Sequence, residues 1–205
     1  MTAWQSNPYS ILLFLSVILS SGLAILVWQK RREKYGVLLL SICLAAGIWS
    51  FGYAMELGSA TLESKLFWAK IQYLGIPIIP ILLLMVMLQY TGYSKLLTRR
   101  NIILSLIEPI IVTVLFWTNE SHKLIWANWE LSSQWSTTTL EAEFGGVLWI
   151  HLTLAYLALL ISVILLILVY RNAEKIYRRQ ISVMLLGVSF PLIVSVLYIF
   201  NISPF

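Results

Sequence analysis

The sequence predicts an all-α, polytopic transmembrane helix bundle, and three observations lead to this prediction. Hydrophobic residues make up 60% of the 205 residues and charged residues 11%, against roughly 25% charged residues in a soluble domain. Six apolar stretches approach or exceed the roughly 20 residues that a helix needs to cross about 30 Å of hydrocarbon. Polar or charged segments separate all six stretches. A water-soluble globule is therefore excluded.

The six predicted spans form one transmembrane domain over residues 1–205. Met1–Pro8 contains no Lys or Arg, so the positively charged start of a signal peptide is missing and the first apolar stretch is expected to stay as a helix. The spans are Ile11–Trp28, Gly36–Leu57, Leu66–Tyr93, Asn101–Trp117, Val147–Tyr170 and Ile181–Phe200.

The basic residues predict the orientation, because cytoplasmic loops accumulate Lys and Arg. Of the 14 basic residues, 11 follow the first, third and fifth spans, whereas Lys65, Lys70 and Lys123 lie at the opposite helix ends. The N-terminus is therefore expected outside the cytoplasmic (plasma) membrane. The net charge of +5 is explained by basic residues that lie at the cytoplasmic surface, next to anionic lipid. No nucleic-acid partner is therefore expected. The 11 residues are Lys30, Arg31, Arg32, Lys34, Lys95, Arg99, Arg100, Arg171, Lys175, Arg178 and Arg179.

Six crossings from an outside start would return Asn201–Phe205 to the outer face. A receptor that signals inward through its C-terminus needs a seventh helix, and the sequence stops where one would begin. We therefore expect six of seven helices here and a longer parent protein.

The longest connection, 118–146, exceeds a minimal link between two helices. Aromatic and β-branched residues flank Ser132-Ser133 in it, a pattern typical of a β-hairpin. We expect a small extracytoplasmic lid between the fourth and fifth spans. Trp126 in this loop and Trp49 deep in the second span are not explained by interfacial aromatic belts. They either line an outer pocket for an apolar or amphipathic ligand or pack in the core.

The third span would measure about 42 Å if straight and contains Gly75, Pro77 and Pro80, so it is expected to tilt or kink. Together with Pro109 in the fourth span, these residues are hinge candidates. The alternative is a static bend at proline.

Ionisable side chains inside a membrane cost about 2.5–3.5 kcal/mol on insertion scales. Glu108, near the middle of the fourth span, is the leading candidate for a ligand or switch role; a structural hydrogen bond to a neighbouring helix is the alternative. Lys70 and Tyr73 share one face of the third span. Glu56 is expected to pair with Lys70 at the outer end of the bundle, unless Lys70 extends to the interface instead.

His151 lies about one turn into the fifth span, and an imidazole titrates near pH 6.5. An external pH response is therefore one hypothesis for it, and a satisfied interfacial histidine is the other. Two histidines are too few for a metal site without converging carboxylates, and spans four to six lack a lysine for a retinal Schiff base. No metal, cofactor or catalytic set is expected, so the chain is not expected to be an enzyme.

Four stretches carry a family resemblance across essentially the whole chain. The most specific is Leu66-Phe-Trp-Ala-Lys-Ile-Gln-Tyr-Leu-Gly-Ile-Pro, continuing to Pro80 and Leu88-Gln-Tyr-Thr-Gly92. The others are Glu108-Pro-Ile-Ile-Val-Thr with Trp117–Trp126, Gly145–Tyr156 with Trp149 and His151, and Tyr177-Arg-Arg-Gln-Ile ahead of Pro191. Together they resemble the N-terminal seven-helix region of sensor histidine kinases. The sequence departs from that family at its end, where the seventh helix and the cytoplasmic output region are absent.

The resemblance implies a membrane sensor module whose ligand or stimulus acts at the outer half of the bundle and biases helices that lead to a cytoplasmic effector. In the parent protein that effector would be a histidine kinase, although related modules also precede nucleotide cyclase-type outputs. It further implies a homodimer, since sensor kinases generally pair. The alternative is a small transporter or channel, which would align polar groups through both leaflets; here, apart from Glu108, they cluster outside.

Reporters active on only one side of the membrane test the span count. A reporter fused to Phe205 is expected to be active outside, and one fused to the longer gene product inside. Activity of the Phe205 fusion inside would contradict the six-helix count.

Overall fold

The computed structural model describes residues 4–33, 35–134 and 137–199 as helices joined by short turns, with one two-stranded sheet. The elements are α1 (Tyr9–Gln29), α2 (Gly36–Gly58), α3 (Leu62–Gln72), α4 (Ile79–Tyr90), α5 (Arg99–Trp117), α6 (Asn119–His122), β1 (Trp126–Gln134), β2 (Thr137–Phe144), α7 (Gly146–Asn172) and α8 (Lys175–Ile199).

Within the described residues, five helical stretches are long and apolar enough to cross a membrane. The mostly helical, multi-pass architecture predicted from the sequence is therefore confirmed. The fifth predicted span corresponds to α7, and the sixth falls on α8, with Phe200 outside the described residues. The five stretches are Tyr9–Gln29, Gly36–Gly58, Leu62–Tyr90, Arg99–Trp117 and Gly146–Asn172.

The helices pack through small residues and turn large apolar side chains outward. Side chains such as Ile11 and Ile18 of α1 are 72% and 67% exposed, which suits contact with lipid tails. Because lipid tails are as apolar as leucine, close van der Waals packing drives association of helices in a membrane, and small residues allow it. Small residues buried in this way are Ala24, Ala45, Gly52, Ala54, Ala69, Ala158 and Ser162.

The third predicted span is interrupted, as expected. α3 ends at Gln72, a 3₁₀ turn covers Ile76–Ile78, and α4 begins at Ile79. The helix extends beyond the predicted span on the N-terminal side and stops short of it on the C-terminal side. The helix begins at Leu62 because the Thr61 side chain accepts a hydrogen bond from the backbone N–H of Ser64, and it ends at Tyr90 ahead of Gly92, whose φ is +89°.

Thr113 of α5 stabilises the interruption. Pro77 has no N–H, so the carbonyl of Tyr73, four residues earlier, loses its helical donor. The hydroxyl of Thr113 lies 3.0 Å from that carbonyl oxygen and 2.9 Å from the carbonyl oxygen of Pro109. This hydrogen bond therefore links the interruption of the third span to α5.

The two strands form the predicted hairpin between the fourth and fifth spans, antiparallel with Leu131 opposite Leu140 and a register shift near Trp126. Phe144 and Leu140 pack on a core that includes Tyr73 and Phe116. The hairpin therefore lies beside α3, the end of α5 and the start of α7. We call this end of the molecule the hairpin end of the bundle.

Gly75 offers a test of the break, because a Cβ there would lie 2.3 Å from the carbonyl oxygen of Ala45. We expect Gly75→Ala to lower the free energy of unfolding by about 1–3 kcal/mol, the usual cost of overpacking. Unfolding in mixed detergent micelles would measure it. Gly22→Ala is the matched control, since nothing lies within 4 Å of a Cβ at Gly22. Equal effects of the two changes would contradict a tight contact at Gly75.

Candidate functional site

Glu108 and His151 meet inside the helix bundle. Nδ1 of His151 lies 2.6 Å from Oε1 of Glu108, which joins α5 to α7. The side chain of His151 is 4% exposed and that of Glu108 31%. Burying either group alone in hydrocarbon would be costly, whereas each supplies the partner the other needs.

The geometry allows two arrangements of the proton between these groups. A carboxylate accepts from a ring N–H, and a protonated carboxyl donates to an unprotonated ring nitrogen. At 2.6 Å either arrangement fits the same heavy-atom positions.

An aromatic cluster lies toward the hairpin from this pair. The rings of Tyr73 and Phe116 stack with centroids 3.5 Å apart, and Trp126 meets both edge-on, at 6.1 Å and 4.7 Å. Val112 and Leu148 pack in the same core. Because Glu108, Val112 and Phe116 are spaced four residues apart on α5, they lie on one face of that helix. A continuous packed column thus runs from the Glu108–His151 pair to the hairpin.

The column ends at a narrow cleft between α3, α6 and β1. Its volume is about 10 Å³, room for one water molecule. Nζ of Lys70 lies 2.5 Å from Oε1 of Glu120 at this cleft. The hydrogen bond from Lys70 lowers the pKa of the Glu120 carboxyl below its usual value, so Glu120 carries its negative charge at neutral pH.

Asn119 fixes the position of the cleft's polar rim. Its Oδ1 accepts from the backbone N–H groups of Ile125 and Trp126, at 3.0 Å and 3.2 Å, and its Nδ2 donates to the carbonyl oxygen of Trp126 at 3.0 Å. Asn119 is 4% exposed. This one buried side chain joins the end of α5 to the start of β1.

The expected Glu56–Lys70 ion pair is not formed, and the correction involves a different lysine. Nε2 of Gln72 donates to Oε2 of Glu56 at 2.5 Å, while Nζ of Lys65 donates to the backbone carbonyl oxygen of Glu56 at 2.8 Å. Lys65 is 0% exposed. Lys65 and Gln72 share a face of α3, seven residues apart, whereas Lys70 faces Glu120.

Gln5 fastens the N-terminal segment between α2 and the hairpin. Its Nε2 donates to the carbonyl oxygens of Leu57 and Thr138, both at 2.8 Å. Its Oε1 accepts from the backbone N–H of Thr138 at 2.8 Å and from its hydroxyl at 3.0 Å. The amide thus occupies hydrogen-bonding positions on β2 that a further strand would use.

The structure brings several of the sequence-predicted residues into one column: Glu108, His151, Tyr73, Trp126 and Lys70. Trp49 is 42% exposed, away from the cleft lining, so it does not form an aromatic pocket with Trp126. Trp135, which also belongs to the predicted lid, lies outside the described residues.

Sequence reasoning missed four of the site's polar residues. Lys65 fell just outside the predicted third span, and Gln72 was passed over because it carries no charge. Gln5 and Asn119 act through backbone contacts made only in the folded chain. The spacing of Lys65 and Gln72 on one helical face is the signal that could have found those two.

These features define a multi-pass α-helical membrane protein whose polar groups converge at one end and in one interhelical pair. Residues 12–205 match the N-terminal 7TM region of histidine kinase, and the chain belongs to this family. It is the sensor region of such kinases, not their catalytic domain. The comparisons with curated proteins and with solved structures found no match.

A double-mutant cycle measures the strength of the interhelical pair. For Glu108→Ala and His151→Ala we expect a coupling energy of about 0.6–1.7 kcal/mol, the range of interhelical hydrogen bonds in membranes. Denaturation in mixed micelles would give the four free energies of unfolding. His122, which bonds to Thr118 instead, supplies the control, and the Glu108–His122 cycle should stay below about 0.5 kcal/mol. Additive effects of Glu108→Ala and His151→Ala would contradict the pairing.

Proposed function

We propose that this chain is the sensory input module of a membrane histidine kinase. It detects an extracytoplasmic or membrane-borne stimulus and transmits it by helix rearrangement to a cytoplasmic effector. The observation that carries this proposal is the family match over residues 12–205 of a chain with several membrane-length apolar helices. The family match does not favour a transporter or channel.

The proposed topology places the N-terminus and the hairpin outside the plasma membrane. α8 supplies the sixth span, since its 25 residues extend about 37 Å. The basic residues between α1 and α2, near α5 and near α8 then lie on the cytoplasmic side, in agreement with the positive-inside rule. In this arrangement the hairpin acts as a lid on the outer end of the bundle, and a seventh helix of the parent protein would lead inward to the kinase.

The proposed transmission path is the packed column between the cleft and the Glu108–His151 pair. A stimulus that moves Trp126 also moves Phe116 and Tyr73, because the three rings are in contact. Phe116 lies on α5, and Tyr73 precedes the break in the third span. Packed cores shift between discrete arrangements rather than deforming smoothly, so such a movement would reposition α5 against α7.

We assign two roles along this transmission path, a hinge and a switch. The break that includes Gly75, Pro77 and Pro80 acts as the hinge between α3 and α4, and Pro109 gives α5 a second flexible point. The Glu108–His151 pair acts as the switch, since its charge distribution depends on how closely α5 approaches α7. We further propose a homodimer, because the kinases that follow such modules act in pairs.

The switch role of Glu108 can be tested in the parent protein, reconstituted in lipid vesicles and assayed for autophosphorylation. Glu108→Gln keeps the size of the side chain but removes its charge. We expect the basal rate of autophosphorylation to change by about fivefold. A shift of about 1 kcal/mol in the equilibrium between two arrangements of α5 and α7 would produce this change. Glu141→Gln, which removes an exposed carboxylate of β2, should leave the basal rate unchanged.

An unchanged basal rate and dose response in Glu108→Gln would remove Glu108 from the mechanism. The sensory function itself requires a separate experiment. Replacing residues 1–205 by an unrelated membrane anchor should abolish the response of the kinase to its stimulus, and a preserved response would contradict the proposed function.

A further inference from the structure

The cleft at the hairpin end has the components of a recognition site, although it is nearly closed. Its walls include Leu66, Phe116, Trp126 and Trp129, from three separate elements. Its rim carries the Lys70–Glu120 ion pair. A volume of about 10 Å³ admits a single water molecule, so any larger occupant must first part this pair.

The ion pair is the least costly part of the cleft to open. The side chains of Lys70 and Glu120 are 22% and 50% exposed, and ion pairs at such positions contribute little to stability. Asn119, by contrast, is buried and makes three hydrogen bonds to the backbone. Opening would therefore release Glu120 and Lys70 and leave the base of the cleft intact.

The negative charge of the hairpin indicates whether Lys70 or Glu120 would bind a ligand after the ion pair opens. The hairpin contributes Glu130, Glu141 and Glu143, and residues 126–144 contain no Lys or Arg. The resulting negative field attracts cations to this end of the molecule and repels anions. Glu120 is thus the group that an incoming ligand would contact, and Lys70 is the internal cation that it would replace.

The aromatic walls favour the same kind of ligand. The face of a tryptophan ring attracts an ammonium group through its quadrupole, and Trp126 and Trp129 line the cleft beside the Glu120 carboxylate. This combination is suited to organic cations. An apolar body attached to the ammonium group would occupy the space against Leu66 and Phe116.

We propose that this cleft binds a small organic cation, an ammonium group on an aromatic or apolar body, which replaces Lys70 as the partner of Glu120. The proposal rests on the proposed function in one respect, that such a ligand is the stimulus; the binding itself is tested without reference to signalling. Lys70 then acts as an internal competitor that keeps the empty site closed.

Calorimetric titration of the full-length protein in lipid nanodiscs tests the proposal with three matched probes: 3-phenylpropylammonium, 3-phenylpropanol and 3-phenylpropanoate. Heats from empty nanodiscs are subtracted. We expect saturable binding of the ammonium compound, weaker binding of the alcohol and none of the carboxylate.

The two halves of the ion pair should respond in opposite directions. Lys70→Gln removes the competitor and should tighten binding of the ammonium probe about two- to fivefold, whereas Glu120→Gln should weaken it at least about tenfold. The matched controls Lys123→Gln and Glu174→Gln make the same charge changes outside the cleft lining, so they should change affinity by less than about twofold. A folding defect cannot produce the tighter binding expected of Lys70→Gln.

The proposal is overturned if the ammonium probe gives no more heat than empty nanodiscs, if the alcohol binds equally well, or if both pair variants weaken binding alike. Saturable binding that leaves kinase output unchanged would support the site and contradict the role of its ligand as the stimulus. A kinase that responds to its stimulus but does not bind the ammonium probe would contradict the site and support the proposed sensory function.

Discussion

The absence of water in the hydrocarbon region is the constraint on which the rest of this structure depends. Every backbone polar group there needs a partner within the protein, so a helix interrupted by proline must receive one from a neighbour. Pro77 leaves the Tyr73 carbonyl without its helical donor, and Thr113 supplies the replacement. The same constraint pairs Glu108 with His151. The two interhelical bonds involve α5, which is therefore tied to the third span on one side and to α7 on the other.

The sequence predicted the helices well because hydropathy and length are local properties. Five of its apolar stretches coincide with membrane-length helices, and the hairpin pattern around Ser132-Ser133 corresponds to β1 and β2. The helices differ from the predicted spans at their ends. The third helix begins four residues earlier than the apolar run, because the Thr61 cap and not hydrophobicity determines its start. α8 similarly begins at Lys175, ahead of the apolar stretch that follows Gln180, because polar residues such as Lys and Arg form a helix as readily as apolar ones.

The pairing of the polar residues was much harder to predict from the sequence. Glu108 and His151 were both identified as candidates, yet their contact depends on the tilt of two helices separated by the whole hairpin, which no local pattern records. Glu56 illustrates the opposite error. Its depth in the membrane correctly suggested a partner on α3, but helix rotation directs Gln72 and Lys65 toward it and turns Lys70 toward Glu120. The depth of a residue in the membrane follows from its position along one helix. The partner that its side chain faces depends on how two helices are rotated against each other.

The contacts of Gln5 also impose an order on assembly. Gln5 leaves the ribosome well before its partner Thr138, which lies 133 positions later. At about 5–20 residues per second, translation separates the two by roughly 7–27 s. Until then the side-chain amide of Gln5 can bond to Leu57 of α2 alone, and the three hydrogen bonds that it makes with Thr138 are missing. Closure of this contact consequently waits for the hairpin, so the segment around Gln5 reaches its final position only after β2 has been synthesised.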